Sequence, residues 1–326
     1  MSNSFGKIFR LTIFGASHAE SVGIIIEGAP KGIALTETMF RADLDRRRPS
    51  LSGETSRKEE DIPIIKGLDP NGKTTGEAIT ITFKNSDKRS GDYSHLRVHP
   101  RPSHADLVQL RKYGNDADIA GGGMASGRMT VALVAAGVVA KEILQNVTFT
   151  TRLASVNGIS DSPQFNDIIT TAAHDGDSVG GIIECCVKGI KPTLGEPFFD
   201  SVESIISHLL FSIPGVKGVE FGDGFAGSAK RGSERNDAII DALGTTQTNN
   251  EGGINGGITN GNDITLRVAI KPTPSIAKAQ CTYNFESKTT TPLTIGGRHD
   301  ACIARRAVVV VEAMVAVALA DFTLRG

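Results

Sequence analysis

Short apolar, β-branched runs separated by polar turn residues dominate the chain and predict antiparallel strands. The six clearest runs are "FRLTIFG", "VGIIIEGAP", "AITITFKN", "SVGGIIECCVKGI", "GVEFGDGF" and "NDITLRVAIKPT". Between them, helix start and stop signals or an amphipathic pattern predict three helices. They lie in "LTETMFRADLDRRRP", "SHADLVQLRKYG" and "SVESIISHLLFSIPG". Thr36 and Ser103 are the expected N-caps of the first two, which end at Pro49 and Gly114.

Two further segments are apolar nearly all round: "SGRMTVALVAAGVVAKEIL" and "IARRAVVVVEAMVAVALADF". A helix without a polar face must be covered on every side. Together with the strands, these helices predict an α+β fold in which buried apolar helices lie between antiparallel sheets. No linker or short repeat divides the sequence, so we expect a single domain over residues 1–326.

Composition narrows the class of protein. The 326 residues carry 35 Lys and Arg against 36 Asp and Glu, which argues against a nucleic-acid binder. The apolar run 307–322 is interrupted by Glu312 and is shorter than the roughly 20 residues of a membrane span. We read no signal peptide. The four cysteines form no CxxC pair, so we expect neither a metal site nor disulfides, and a cytoplasmic protein.

Two nucleotide-binding motif matches are rejected on their context. Residues 67–74, "GLDPNGKT", match the phosphate-loop pattern, but a strand follows where that loop requires a helix. Residues 222–227, "GDGFAG", match the dinucleotide pattern, but the polar segment after them is not an obvious helix. We therefore expect a hairpin loop at the first match and no dinucleotide site at the second. A phosphate-loop kinase is disfavoured accordingly.

Four short segments combine turn residues with groups capable of acid–base chemistry or anion binding. Ser17 and His18 lie in a turn between two strands. His104 follows Arg101 at a predicted helix start, where the helix dipole favours anions. Ser126 and Arg128 follow a glycine run that enters a buried helix. Asp300 follows a glycine pair and "RH", and by itself is better explained as a helix cap.

The run "DLDRRRPSLSG" places Arg46, Arg47 and Arg48 side by side. A charge run is usually a solvated surface. Here, however, arginines, glycine turns and histidines recur along the chain. A small molecule with several phosphate or carboxylate groups would need such an array.

As a set, these motifs resemble the chorismate synthase family. The matching segments, in the family's order from about Ser4 to Leu324, include "FGASHAESVGIIIEGAPKGI", "LDRRRPS", "RPSHADL", "GGGMASGRMTVALVAAGVVAK" and "GRHDACIARRAV". The resemblance implies a β-α-β sandwich, a homotetramer and reduced FMN as cofactor, and leaves open whether NADPH is the reductant. It implies a lyase that eliminates phosphate from 5-enolpyruvylshikimate 3-phosphate to give chorismate in the shikimate pathway.

The resemblance also implies roles for individual residues. His18 would protonate the leaving phosphate, His104 would support the reduced flavin, and Asp300 with Ser17 and Ser126 would assist proton movement at flavin N5. Substrate would be bound by Arg46, Arg47, Arg48, Arg101 and Arg128. The flavin would be bound by Arg47, Met124, Ala125, Ser126, Pro214, Gly215, Gly256, Lys271, Pro272, Thr273, Pro274, Ser275 and Arg298. No role is implied for His299, Cys185 or Cys186.

The chain departs from the family pattern at two positions of the glycine run. Met124 stands where the family has an arginine, and Met129 where it has a glutamate. We therefore expect weaker flavin binding than is usual in the family. The same departures motivate the main alternative, a non-catalytic relative that binds flavin or phosphate. The histidines, Asp300 and the arginine triplet are all retained, which favours the enzyme.

Overall fold

The structure is a computed structural model that describes residues 3–87, 90–297 and 299–326. Its strands are β1 (Ser4–Phe5), β2 (Arg10–Gly15), β3 (Ser21–Glu27), β4 (Ile64–Lys66), β5 (Ile79–Lys84), β6 (Thr148–Val156), β7 (Gly181–Lys188), β8 (Val216–Phe221), β9 (Ile254–Asn255), β10 (Ile258–Thr259), β11 (Ile264–Ile270), β12 (Gln280–Asn284) and β13 (Thr289–Leu293). Its helices are α1 (Glu37–Arg47), α2 (Asp106–Tyr113), α3 (Thr130–Ile143), α4 (Phe165–His174), α5 (Val202–Ser212), α6 (Gly224–Gly227), α7 (Gly232–Arg235) and α8 (Ala304–Arg325).

The strands form two main antiparallel sheets. The first has the order β1-β2-β3-β5-β4 and the second the order β6-β7-β11-β8. All six strands predicted from the sequence are present. The short strands β1 and β4, the strand β6 and the helix α4 were not predicted. The remaining strands form the two small hairpins β9–β10 and β12–β13.

The two apolar helices occupy the space between the sheets, as predicted. Helix α3 contacts β3 and β5 of the first sheet, α8 contacts β6 and β7 of the second, and the two helices contact each other. They approach closely because Gly137 has no side chain: a Cβ built there would lie 2.3 Å from Ala313 Cβ. One hydrophobic cluster includes Ile24 of the first sheet and Ile183 of the second. One hydrophobic core therefore joins the two sheets, and the single domain over residues 1–326 stays a prediction.

Helix α8 is long and apolar enough to cross a membrane by length and composition alone, but 78% of its apolar window is buried within the fold. Its interpretation as a buried helix is therefore confirmed. Its one central charge, Glu312, accepts hydrogen bonds from Arg46 Nη2 (2.8 Å) and from Lys141 Nζ of α3. Cations from α1 and α3 thus compensate the buried carboxylate.

Near its end, α8 also holds the N-terminal segment. Asp321 Oδ1 accepts hydrogen bonds from the backbone N–H groups of Ile8 (2.8 Å) and Phe9 (2.9 Å), and it lies 3.2 Å from the backbone nitrogen of Lys7. The carboxylate has no exposed surface. It therefore fixes the chain just before β2 onto the central helix.

Local details differ from expectation at the helix starts. Helix α2 begins at Asp106 with Ala105 at the N-cap, so Ser103 is not the cap; it has a left-handed φ of 57°. Thr36 does lie at the N-cap of α1 but makes no capping hydrogen bond. Residues 67–74 connect β4 to the antiparallel β5, so the hairpin is confirmed. The single-turn helix α6 lies within the second rejected motif, residues 222–227, and the single-turn helix α7 follows it.

Candidate functional site

A cavity of about 450 Å³ lies beside the N-terminal ends of α3 and α8. Its lining comes from segments far apart in the sequence: the end of α1 and the loop after it, the turn at Ser17 and His18, the chain before α2, the glycine run, and residues 213–215, 271–275 and 299–310. The four candidate segments found in the sequence therefore converge on one site.

The three consecutive arginines point in three directions. Arg47 is buried and lines the cavity. Arg46 is paired with Glu312 and Asp43, and Arg48 is paired with Asp45 in solvent. Arg46 and Arg48 are not among the lining residues, so their expected role in substrate binding stays a prediction. The side chains diverge because successive helix residues are rotated by about 100° and because Arg48, at the C-cap, is already extended.

Asp61 holds two cavity arginines in place. Its Oδ2 accepts a hydrogen bond from Arg47 Nη2 (2.8 Å), and its Oδ1 accepts one from Arg128 Nη1. Burial would raise the pKa of Asp61, but the two guanidinium groups outweigh burial and lower it. Burial lowers the pKa of Arg47 to about 10, so this side chain is still a cation at neutral pH. Two buried cations thus share one buried anion.

The glycine run brings backbone against both histidines. Gly121, Gly122 and Gly123 have φ values of 57°, 86° and 54°, which favour glycine. A Cβ on Gly121 would lie 2.6 Å from His18 Nε2, and one on Gly122 would lie 3.5 Å from His104 Cε1. A side chain at Gly121 would therefore displace His18.

His18 and Ser17 are held from the other side by groups that the sequence reasoning missed. Arg57 Nη1 donates to Ser17 Oγ (2.9 Å), and Arg57 Nη2 donates to the Ser17 carbonyl (3.0 Å) and to Glu59. The Tyr93 ring meets the His18 ring edge-on, with centroids 5.2 Å apart. The turn between β2 and β3 is thereby fixed at the cavity wall.

His104 and Arg101 share one partner, Asp106. The carboxylate lies 2.7 Å from His104 Nδ1 and accepts two hydrogen bonds of 2.7 Å from the Arg101 guanidinium. Arg101 Nη1 also donates to Ser275 Oγ (2.9 Å), which connects Arg101 to the lining segment 271–275. His104 precedes α2 by two residues, so it is not in the helix's first turn as expected.

Asp300 is not a helix cap. Its Oδ1 accepts from the Thr55 backbone N–H (2.9 Å), and its Oδ2 accepts from Arg306 Nη1 (2.9 Å), while α8 begins four residues later. Arg306 Nε in turn donates to the Arg47 carbonyl (2.8 Å). Asp300 therefore links the start of α8 to the loop after α1, and Arg306 links it to the end of α1. The neighbouring His299 also lines the cavity, and burial lowers its pKa.

The expected flavin residues divide into two groups. Those that line the cavity are Arg47, Ala125, Ser126, Pro214, Gly215, Lys271, Thr273, Pro274 and Ser275. Met124, Pro272 and Gly256 do not line it, and Arg298 lies outside the described residues. Gly256 is in the exposed turn between β9 and β10, and its expected role in flavin binding stays a prediction.

Met124 and Met129 instead line a second, adjacent cavity of about 290 Å³, together with apolar residues such as Leu133 and Met314. Pro214 and Thr130 line both cavities. This placement gives no support to the expectation that Met124 weakens flavin binding.

The charges of the main cavity are unequal. Among its described lining residues, the cations are Arg47, Arg57, Arg101, Arg128, Lys271 and Arg306, and the carboxylates are Glu59, Asp61 and Asp300. An excess of fixed cations around a cavity favours a polyanionic ligand. No group of three His, Cys, Asp or Glu side chains in the described ranges is arranged to hold a metal ion.

The similarity of the chain to known proteins agrees with this chemistry. Residues 9–324 match the family model described as chorismate synthase. The chain is 53% identical to the chorismate synthase of Chitinophaga pinensis over 323 residues, which cover 99% of this chain and 96% of that protein. It is 42% identical to the chorismate synthase of Synechococcus elongatus, with 100% and 98% covered.

The chain belongs to the chorismate synthase family.

Membership in this family confirms the enzyme class expected from the motifs, a carbon–oxygen lyase of the shikimate pathway that leads to aromatic amino acids. A solved structure described as a crystal structure of chorismate synthase is similar in fold, with a TM-score of 0.75 at 24% identity over 98% of this chain and 93% of that one. The expected sandwich of antiparallel sheets around buried helices is thereby confirmed.

Proposed function

We propose that this protein converts 5-enolpyruvylshikimate 3-phosphate to chorismate by anti-1,4-elimination of phosphate, with reduced FMN bound beside the substrate in the main cavity. The observation that carries the proposal is the convergence of His18, His104 and Asp300 on one cation-rich cavity. His18 and Asp300 are about 280 residues apart in the sequence, and the fold brings all three groups to one cavity.

The residues present fit such ligands. A cavity of about 450 Å³ falls within the roughly 300–1,000 Å³ of small-molecule sites. The Nε of Arg47 is buried and has no hydrogen-bond partner within the described part of the chain, although Arg47 lines the cavity. A buried donor without a partner is costly, so an anionic oxygen at this point is favoured. Ile303, Ala307 and Val310 of the lining supply an apolar wall for a planar ring.

The arginines are suited to stabilise the leaving phosphate. Asp61 holds Arg47 and Arg128 in fixed orientations before any ligand arrives. Cations fixed in advance stabilise developing negative charge without reorganising during the reaction. His18 lines the same cavity and would carry the proton that neutralises the departing group.

The same cavity would accept the flavin beside the substrate. Reduced FMN, when bound, supplies an electron-rich ring next to the C–O and C–H bonds that break. Lys271, Thr273 and Ser275 offer polar groups for its phosphate and side chain, and His104 faces the same volume. Asp300, with Ser17 and Ser126, would accept and pass on the proton removed from the substrate ring. The hydrogen bonds from Thr55 and Arg306 orient the Asp300 carboxylate for this role.

A homotetramer and a cytoplasmic setting complete the proposal, with no nucleic-acid or membrane partner. The four cysteines are free, in keeping with a reducing compartment. Phe198, Phe199 and Leu243 are almost fully exposed. Exposed large apolar side chains are typical of surfaces that another subunit covers.

The test is an anaerobic reaction of the protein with dithionite-reduced FMN and 5-enolpyruvylshikimate 3-phosphate, followed by chorismate absorbance and phosphate release together. We expect both products in equal amounts, and none without reduced FMN. His18→Ala should abolish turnover, whereas the matched variant His174→Ala, at an exposed position, should not. Replacing dithionite with NADPH tests whether the protein reduces its own flavin. A folded protein that binds substrate without turnover would instead be the non-catalytic relative.

A further inference from the structure

The carboxylate of Asp106 joins two cavity-lining side chains but does not itself line the cavity. It has no exposed surface, and it begins α2. The Arg101 guanidinium donates to both oxygens of Asp106. Oδ1 of Asp106 also lies 2.7 Å from His104 Nδ1. The backbone N–H of Arg101 lies 3.2 Å from Oδ2. Every contact of this buried anion is therefore made by a residue of the segment that forms the cavity edge.

The charge of Asp106 determines which nitrogen of His104 carries a proton. Burial would raise the pKa of Asp106, but the hydrogen bonds from Arg101 and His104 outweigh burial and hold it well below its ordinary value. An ionised carboxylate only accepts hydrogen bonds. The imidazole nitrogen that faces it, Nδ1, must therefore carry a hydrogen, and Nε2 is then the nitrogen left for a ligand.

The rest of the surroundings fixes the ring in this orientation. A Cβ on Gly122 would lie 3.5 Å from His104 Cε1 and 3.8 Å from Nε2, so the glycine run packs along the Nε2 edge. Lys271 Nζ donates to the Ser103 carbonyl (2.8 Å) and holds the chain immediately before the histidine. The ring thus has a partner on its Nδ1 side and backbone along its other edge.

We infer that Asp106 is a positioning residue, which fixes His104 with Nδ1 protonated and Nε2 presented to the cavity and orients Arg101 with the same carboxylate. The inference rests on the proposed function, in which His104 and Arg101 face the flavin and the substrate anions. Carboxylates that orient a functional histidine in this way typically contribute a factor of about 10–100 to activity or affinity.

A spectroscopic test is independent of turnover. Correlation spectra of the histidine nitrogens and carbons, recorded by solid-state NMR at alkaline pH, distinguish the two neutral tautomers. The His104 signal is identified by its loss in His104→Ala. We expect the Nδ1–H tautomer in the wild-type protein and its loss or mixing in Asp106→Asn. An unchanged His104 signal in Asp106→Asn, or an Nε2–H tautomer in the wild type, overturns the inference even if the proposed reaction occurs.

A double-mutant cycle tests the consequence for the reaction. Asp106→Asn should lower kcat about 10–100-fold. In a His104→Ala background the same change should lower kcat by a smaller factor, because the effect that Asp106 exerts through His104 is already lost and only its effect through Arg101 remains. Equal losses in both backgrounds would mean that Asp106 does not act through His104 and would overturn the inference. Asp321→Asn is the matched control, since Asp321 is also fully buried but lies outside the cavity. It should lower the unfolding temperature and leave kcat unchanged.

Discussion

At the scale of single residues, Arg47 and Arg48 show how adjacent, identical side chains come to have different roles. Arg47 is 4% exposed, binds Asp61 and lines the cavity, whereas Arg48 lies in solvent next to Asp45. A surface pair of the second kind contributes little to stability or binding. The run of arginines was identified from the sequence, but the member that matters could be chosen only from the packing of α1.

This difference predicts unequal effects of the same substitution. Arg47→Met should raise the KM for the phosphate substrate by about 10–100-fold, the range that corresponds to the ~1.5–3 kcal/mol of a hydrogen bond to a charged group. Arg48→Met should change KM by less than about twofold. Steady-state kinetics of the two folded variants, checked by circular dichroism, measure this. Similar KM values in both would contradict the assignment of Arg47 to the substrate.

Asp61 predicts a pH-dependent stability. The residue has a left-handed φ of 53°, which asparagine tolerates well, so Asp61→Asn removes the charge with little backbone strain. At pH 7 we expect a loss of about 3–5 kcal/mol, because two buried arginines lose their anion. The pKa of Asp61 is lowered in the folded protein, so its stabilisation is complete above the ordinary carboxyl pKa of about 3.9 and declines as pH falls below it.

Urea unfolding of both proteins between neutral and acid pH measures the effect. The stability difference between wild type and Asp61→Asn should narrow as the pH falls through about 4 and below. A difference that stays constant over this range would show that the carboxylate is not the source of the stabilisation.

At the scale of elements, the close contact between α3 and α8 depends on a glycine in a helix. Gly137→Ala would improve intrinsic helix propensity by about 1 kcal/mol. The added Cβ, however, would lie 2.3 Å from Ala313 Cβ and 2.6 Å from its Cα, so something must shift. Overpacking of this kind typically costs about 1–3 kcal/mol.

We therefore expect Gly137→Ala to lower the unfolding temperature, and Ala313→Gly to restore part of the loss when the two are combined. Calorimetry of the wild type, the two single variants and the double variant measures the coupling. If the changes in unfolding temperature of the two single variants simply add in the double variant, the Cβ added at residue 137 does not clash with Ala313.

Element boundaries near the site were the least predictable from the sequence. Ser103 has the residue type of an N-cap and is followed three residues later by an acid, yet α2 begins at Asp106. The acid is used instead by Arg101 and His104, whose side chains the sequence could not place near it. Long apolar helices and β-branched strands were predictable, because their patterns reflect burial alone. The roles of Arg57 and Arg306 were not, because those depend on contacts with Ser17 and Asp300 that form only in the fold.

At the scale of the whole molecule, exposed apolar side chains predict self-association. Phe198 and Phe199 are 86% and 91% exposed, and Phe198 has a φ of 65°, which is unusual for a bulky residue. In the proposed homotetramer, these rings lie at a subunit contact. Phe199→Asp should lower the mass measured by analytical ultracentrifugation, whereas Val108→Asp, at another exposed apolar position, should not. An unchanged tetramer in Phe199→Asp would exclude this ring from the contact.

The architecture as a whole could be predicted from the sequence, because two apolar helices need apolar cover on all sides and the predicted strands could provide it. The convergence of the site residues could not be predicted in this way. Segments around Ser17, Arg47, His104, Ser126 and Asp300 meet at one cavity only after both sheets have packed on α3 and α8. The family resemblance identified the groups, and the packing explains why they are neighbours.

The central position of α8 has a consequence for the newly made chain. Strands β6 and β7, which α8 contacts, end at Lys188, whereas α8 begins roughly 115 residues later at Ala304. At the ~5–20 residues per second of protein synthesis, these strands wait about 6–23 s on the ribosome before that helix emerges. During this interval the sheet faces that pack on α8 lack their permanent cover. Chaperones that shield nascent chains should therefore matter more for the yield of this protein than for one whose core is local in sequence.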